Sequence, residues 1–117
     1  MPLDADYERF LKAARSIFLR QGSTDADMII KVMEEAGEVA EAWSGYRGTN
    51  PRKGADTHTL LDVAHELADV AASALVALTF LGFDAEEMLT WQVDKVKRWH
   101  PEDSWGIHVR TAAEAQS

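Results

Sequence analysis

The stretch from Thr59 to Leu81 limits the folds open to this chain more than any other segment. Placed on a helix at about 100° per residue, its apolar side chains, among them Leu60, Val63, Leu67, Val70 and Leu78, point in nearly every direction. One polar wedge interrupts them: Asp62, His65, Glu66, Asp69 and Ser73. A helix that is apolar all round is a buried helix. A chain of 117 residues has room for one compact domain, and a bundle that small cannot enclose one helix on every side. The wheel therefore predicts a core completed against another subunit.

Helical spacing runs through the rest of the chain, and strand signals are absent. Helix 1 is expected over about Asp4 to Arg20, on the stripe Tyr7, Phe10, Leu11, Ala14, Ile17 and Phe18, with Gly22 as its stop. Helix 2 is expected over Asp25 to Tyr46, capped by Ser23 or Thr24. Its broad apolar arc holds Met28, Ile29, Val32, Met33, Ala36, Val39, Ala40 and Trp43, and Glu35 sits at the edge of that arc. A glycine- and proline-bearing loop follows, Gly45 to about Thr57. Helix 3 is the Thr59–Leu81 segment, with Thr59 and Asp62 imitating a capping box. Helix 4 opens at Asp84 and runs to about Trp99 on the stripe Ala85, Met88, Leu89, Val93, Val96 and Trp99. Pro101 stops it. The expected architecture is all-α: a four-helix domain over residues 1–100 and a tail over 101–117, which Trp105 and Ile107 partly dock.

Charge narrows the function. Acids outnumber bases by 20 to 12, a net charge of −8. Such a chain repels a phosphate backbone, so a nucleic-acid polymer is not an expected partner. Without cysteine there is no disulfide, thiolate metal site or cysteine nucleophile. The N-terminus lacks a basic signal region. The apolar run Val70 to Phe83 is too short for a bilayer. The expected setting is cytoplasmic, with no membrane partner.

The acids are also arranged. Glu35 and Glu38 stand three apart on helix 2, and Glu66 and Asp69 stand three apart on helix 3. That spacing puts each pair on one helix face. If the two helices pack antiparallel, the pairs face each other. Four carboxylates in a partly buried site cannot all stay ionised unaided. A hard divalent cation with oxygen ligands, such as Mg²⁺, resolves the repulsion. For any single acid pair taken alone, a solvated surface is the commoner explanation.

Glu34-Glu35-Ala36-Gly37-Glu38 reads as E-E-x-x-E, and Glu66-Leu67-Ala68-Asp69 reads as E-x-x-D, with 27 residues between them. Lys31-Val32-Met33 and Val39-Ala40-Glu41-Ala42 flank the first motif, and Val70 follows the second. Over roughly Met28 to Trp99 the chain resembles the MazG-like all-α nucleoside triphosphate pyrophosphohydrolases. The resemblance implies a homo-dimer or tetramer that hydrolyses a (d)NTP to (d)NMP and pyrophosphate. It implies Mg²⁺, or Mn²⁺ in its place, held by Glu35, Glu38, Glu66 and Asp69. Glu34 would orient or deprotonate the attacking water, beside Glu35 and Glu38 in the catalytic group. Basic residues near the end of the last helix would contact phosphates; Lys95, Lys97 and Arg98 occupy that region. A basic last turn on the helix dipole explains them equally well.

Trp91 lies off the helix 4 stripe, where it would stack on a base or fill a subunit interface, the latter being favoured. Trp43 and Trp99 fall on apolar stripes and are expected to pack in the core. His65 reads as a hydrogen-bonded core residue, and Arg47, Arg52 and Lys53 as solvating the loop. No His stands at the spacing a di-iron carboxylate site requires. The competing function is a non-enzymatic helical module that oligomerises and carries an acidic, weakly metal-binding face.

Overall fold

The computed structural model describes residues 4–48, 57–99 and 110–116. Five helices occupy them: α1 (Ala5–Arg20), α2 (Asp25–Arg47), α3 (Leu60–Phe80), α4 (Ala85–Trp99) and α5 (Ala112–Gln116). There is no strand among the described residues. The first four elements lie where helical spacing puts them, because short-range chemistry marks their ends. Thr24 and Asp27 exchange hydrogen bonds across the first turn of α2: the Thr24 N–H donates to Asp27 at 2.8 Å, and the Asp27 N–H to Thr24 Oγ1 at 3.2 Å. Thr59 and Asp62 repeat the exchange at the start of α3, at 2.8 and 3.1 Å. Both boxes use Asp where Glu is usual. In each, the backbone N–H of the threonine holds the aspartate below its ordinary pKa. Asp84 caps α4 by accepting from the Glu87 N–H at 2.9 Å. Gly22, at φ 80°, closes α1 with paired bonds from the Gly22 and Ser23 N–H groups to Leu19 and Phe18, the C-terminal pattern that glycine permits.

Contacts group the chain into two compact units, Met1–Met28 with Leu75–His108, and Ile29–Ala74 with Val109–Ser117. In the first unit Leu11, Leu75, Val76, Ala77, Phe80 and Ala85 are buried. There Arg15 lies over the Phe80 ring at 5.7 Å and donates from Nε to the Thr79 carbonyl at 3.4 Å. In the second unit Ala42, Gly45, Val63, Ser73 and Ala115 are buried. α5, which falls inside the expected tail, seats Ala115 there beside Leu60, Leu61 and Leu67. Trp105 and Ile107 lie outside the described residues.

The expected burial of the α2 arc, and of Trp43 and Trp99, fails. On α2 the buried line is Met28, Ala42 and Gly45, with Glu35 half-buried between them. Met28, Glu35 and Ala42 are seven apart, the repeat of a helix packed along a narrow seam. Of the rest of the apolar arc, Ile29, Met33 at 66%, Ala40 and Trp43 are exposed, and Val32, Ala36 and Val39 are only half-buried. Trp99 is 68% exposed as well, so neither Trp43 nor Trp99 is a core side chain. Small residues decide which strip of α2 can come close to a neighbour, and hydrophobicity alone does not register them. On α3, Ala64, Leu67, Ala68 and Ala71 are exposed within the single chain, so the helix is not enclosed on all sides. It is also longer than the run from Val70 and, by length and composition alone, could cross a membrane. Length therefore does not exclude a bilayer, whereas Asp62, Glu66 and Asp69 within the helix weigh against one.

Candidate metal centre

The second unit carries the carboxylates. Glu35 and Glu38 come from the middle of α2 and Glu66 from the first half of α3. Each offers a carboxylate oxygen, and the three oxygens lie within 4.8 Å of one another. The expected antiparallel pairing of α2 and α3 brings them together. Glu38 meets Glu66, and further along α2 Gly45 meets Thr57 and His58 ahead of α3, so residue numbers fall on one strand of the pair as they rise on the other.

Mid-helix positions have no free backbone N–H groups to neutralise an acid, so the carboxylates act on each other. Hydrogen bonding with Glu35 and the charge of Glu35 push the Glu38 carboxyl above the usual carboxylate range, and desolvation and the charge of Glu66 push it the same way. Lys31 offsets part of this by pairing with Glu35 at 3.2 Å. Glu35 is the more enclosed partner, with its side chain 14% exposed. Glu66 is half-buried, and its Oε2 is buried without a hydrogen-bond partner among the described residues. An orphaned buried carboxylate oxygen is costly.

A divalent cation fits this donor set. All the donors are oxygen, which suits Mg²⁺ and Mn²⁺. Two ligands on opposite sides of such an ion stand about 4 Å apart, twice a metal–oxygen distance of roughly 2.0–2.1 Å, close to the spread of the three oxygens. The remaining expected residues are less tightly placed. Asp69 is exposed and is not one of the three gathered oxygens. The antiparallel register puts it level with Glu34 and Glu35, but an aspartate is one methylene shorter. Glu34 is exposed on α2. His65 is exposed rather than core, and with His58 its charge helps lower the pKa of Asp62.

The basic turn and Trp91 belong to the other unit. Lys95 is half-buried between two indoles, 5.3 Å from the Trp91 ring and 5.2 Å from the Trp99 ring. Its charge thus has cation–π partners on its own helix, at i−4 and i+4. Trp91 is 51% exposed, and Lys97 and Arg98 are exposed. Arg47 lies over the Trp43 ring at 5.9 Å; Arg52 and Lys53 fall outside the described residues. Two contributors escaped sequence reasoning. Lys31 was visible only as motif flank, although its i, i+4 spacing to Glu35 is an ion-pair signal. Ala42 and Gly45, four and seven residues after Glu38, form a line of small residues that marks a close helix contact. No protein-family model matches the chain, and no curated protein or solved structure matches it either.

Proposed function

We propose that this chain is a Mg²⁺-dependent nucleoside triphosphate pyrophosphohydrolase of the MazG-like type, which converts a (d)NTP to (d)NMP and pyrophosphate. The observation that carries the reading is the convergence of Glu35, Glu38 and Glu66 from two helices, with Glu38 destabilised as an anion and Glu66 Oε2 left unpartnered. Bound Mg²⁺ supplies charge neutralisation for the phosphates and a lowered pKa for a coordinated water. Glu35, Glu38 and Glu66 hold the ion, and Asp69 joins them from the next turn of α3. Glu34, exposed beside them, accepts the proton of the attacking water. The family resemblance gives a phosphate-contacting role to the basic end of the last helix, where Lys95, Lys97 and Arg98 lie. Lys95 takes that role only by leaving its two indoles, and the half-exposed Trp91 fills a subunit interface rather than stacking on a base.

The protein works as a homo-dimer or tetramer in the cytoplasm. The exposed Leu67 and Met33 support association. They equally favour the second reading, an oligomeric helical module without activity. A screen of (d)NTPs with pyrophosphate detection separates the two. The enzyme releases pyrophosphate and a nucleoside monophosphate in equal amounts, and only with a divalent cation. Release of orthophosphate, or no release from any nucleotide, contradicts the proposal.

A further inference from the structure

We infer that Gly45 is a positioning residue of the carboxylate centre: its missing side chain sets how closely α2 approaches the start of α3, and so whether Glu35 and Glu38 reach Glu66. The inference rests on the metal-centre reading above. Gly45 is buried inside a regular helix, where glycine is otherwise unfavourable. Its backbone is not in the left-handed region, so no turn requires it. What requires it is space. A Cβ at this position would overlap His58 Nδ1 and Thr57 Oγ1 and would stand 3.1 Å from His58 Cε1. The Thr57 N–H donates to the Gly45 carbonyl at 3.2 Å, so the backbones themselves are held together here.

This contact and the carboxylate cluster belong to one antiparallel pairing. Seven residues lead from Glu38 to Gly45, and eight lead from His58 to Glu66. The first span is helical throughout, about 11 Å at 1.5 Å per residue; the second leaves His58 through the non-helical Thr59 and then covers about 9 Å of α3 from Leu60 to Glu66. Ala42, 2% exposed, lies between Glu38 and Gly45 on the same strip. A methyl group at Gly45 must displace the Thr57 and His58 side chains, which hydrogen-bond each other at 3.1 Å, by about an ångström to reach the ~3.5 Å of ordinary contact, and the backbone bond from Thr57 to Gly45 passes that displacement to the segment leading into α3. Sites of this kind tolerate about 0.5 Å.

The test uses Mn²⁺ alone as the probe, with free Mn²⁺ read by electron paramagnetic resonance, well below the melting temperature. The wild-type chain binds Mn²⁺. Gly45→Ala keeps its helix content by circular dichroism but binds about 10–100-fold more weakly, as when a supporting contact of a metal site is lost. Adding Thr57→Ala and His58→Ala to Gly45→Ala removes the obstructing atoms and restores affinity. A residue serving only local helix stability behaves differently, since alanine there strengthens the helix and leaves Mn²⁺ binding unchanged. That result, with wild-type binding intact, overturns the positioning role and spares the metal centre. Wild-type protein that binds no Mn²⁺ overturns both. If Gly45→Ala does not fold, the triple variant alone decides, and weak binding by a folded triple variant overturns the inference.

Discussion

Two acidic groups in this molecule have similar composition and opposite character. Glu35, Glu38 and Glu66 meet across two helices, far from any helix end. Asp84, Glu86 and Glu87 gather at the start of α4 and line one shallow pocket. Each group contains a buried carboxylate oxygen without a hydrogen-bond partner among the described residues, Glu66 Oε2 in the first and Glu86 Oε1 in the second. At the start of α4 the carboxylates sit where free N–H groups and the positive end of the helix dipole favour negative charge. Asp84 takes up one of those N–H groups. In the mid-helix cluster nothing comparable is available apart from Lys31, and the Glu38 pKa rises. Acid counts alone therefore do not mark a cation site. Placement relative to helix ends separates acids that backbone N–H groups favour from acids that repel one another.

The largest effect that would break this contrast is catalytic. Glu38→Gln or Asp69→Asn should lower pyrophosphate release by more than the ~10–100-fold typical of losing an outer-shell partner, with folding intact by circular dichroism. Full activity in either variant removes that residue from the ligand set. Chelation of divalent cations should abolish turnover reversibly, and restored Mg²⁺ should recover it. Variants in the α4 group, such as Glu87→Gln, should keep turnover within about twofold, since no ion is required there.

Stability tests the contrast by sign. Asp84→Ala should destabilise the protein by about 1 kcal/mol, the usual cost of a lost N-cap, read from a denaturant melt. Glu38→Gln should do the reverse without metal and raise the midpoint, because it removes mutual repulsion.

The smallest effect is in the pH dependence. A carboxyl raised in the folded state holds a proton that the unfolded chain has already released. Metal-free stability is thus favoured below the ordinary Glu pKa and declines as pH rises through the raised Glu38 value. Mg²⁺ should remove that decline, and Glu38→Gln should lack it. Asp27 and Asp62, lowered by their capping boxes, act the other way. Their contribution is present above the ordinary Asp pKa and fades as pH falls through the lowered values, so Asp62→Asn, which removes one of the two titrating groups, should flatten the acid limb in part and leave the Glu38 decline unchanged.

Much of this was legible in the residues, for local reasons. Thr24, Thr59, Asp84 and Gly22 mark helix ends by hydrogen bonds within a few positions, so the four long helices could be placed from spacing alone. The pairing of Glu35 and Glu38 with Glu66 followed from i, i+3 spacing and an antiparallel arrangement. The buried strip of α2 did not. Ile29, Met33 and Trp43 outweigh Ala42 and Gly45 on any hydrophobic wheel, yet only the small residues let α3 approach. The place of Asp69 outside the three gathered oxygens was not legible either: spacing puts it on the right face but says nothing of how far it must reach to join a bound ion. The five residues of α5 hold too few periodic positions to stand out from a tail.

The most direct test of the central claim, that the carboxylates spanning α2 and α3 form a divalent-cation site, is a thermal melt of wild-type protein and Glu38→Gln with and without millimolar Mg²⁺. A ligand bound only by the native state raises its midpoint. The wild type should melt lower than Glu38→Gln without Mg²⁺, and Mg²⁺ should raise the wild type alone. A wild-type midpoint that does not move with Mg²⁺, or an equal rise in both proteins, would contradict it.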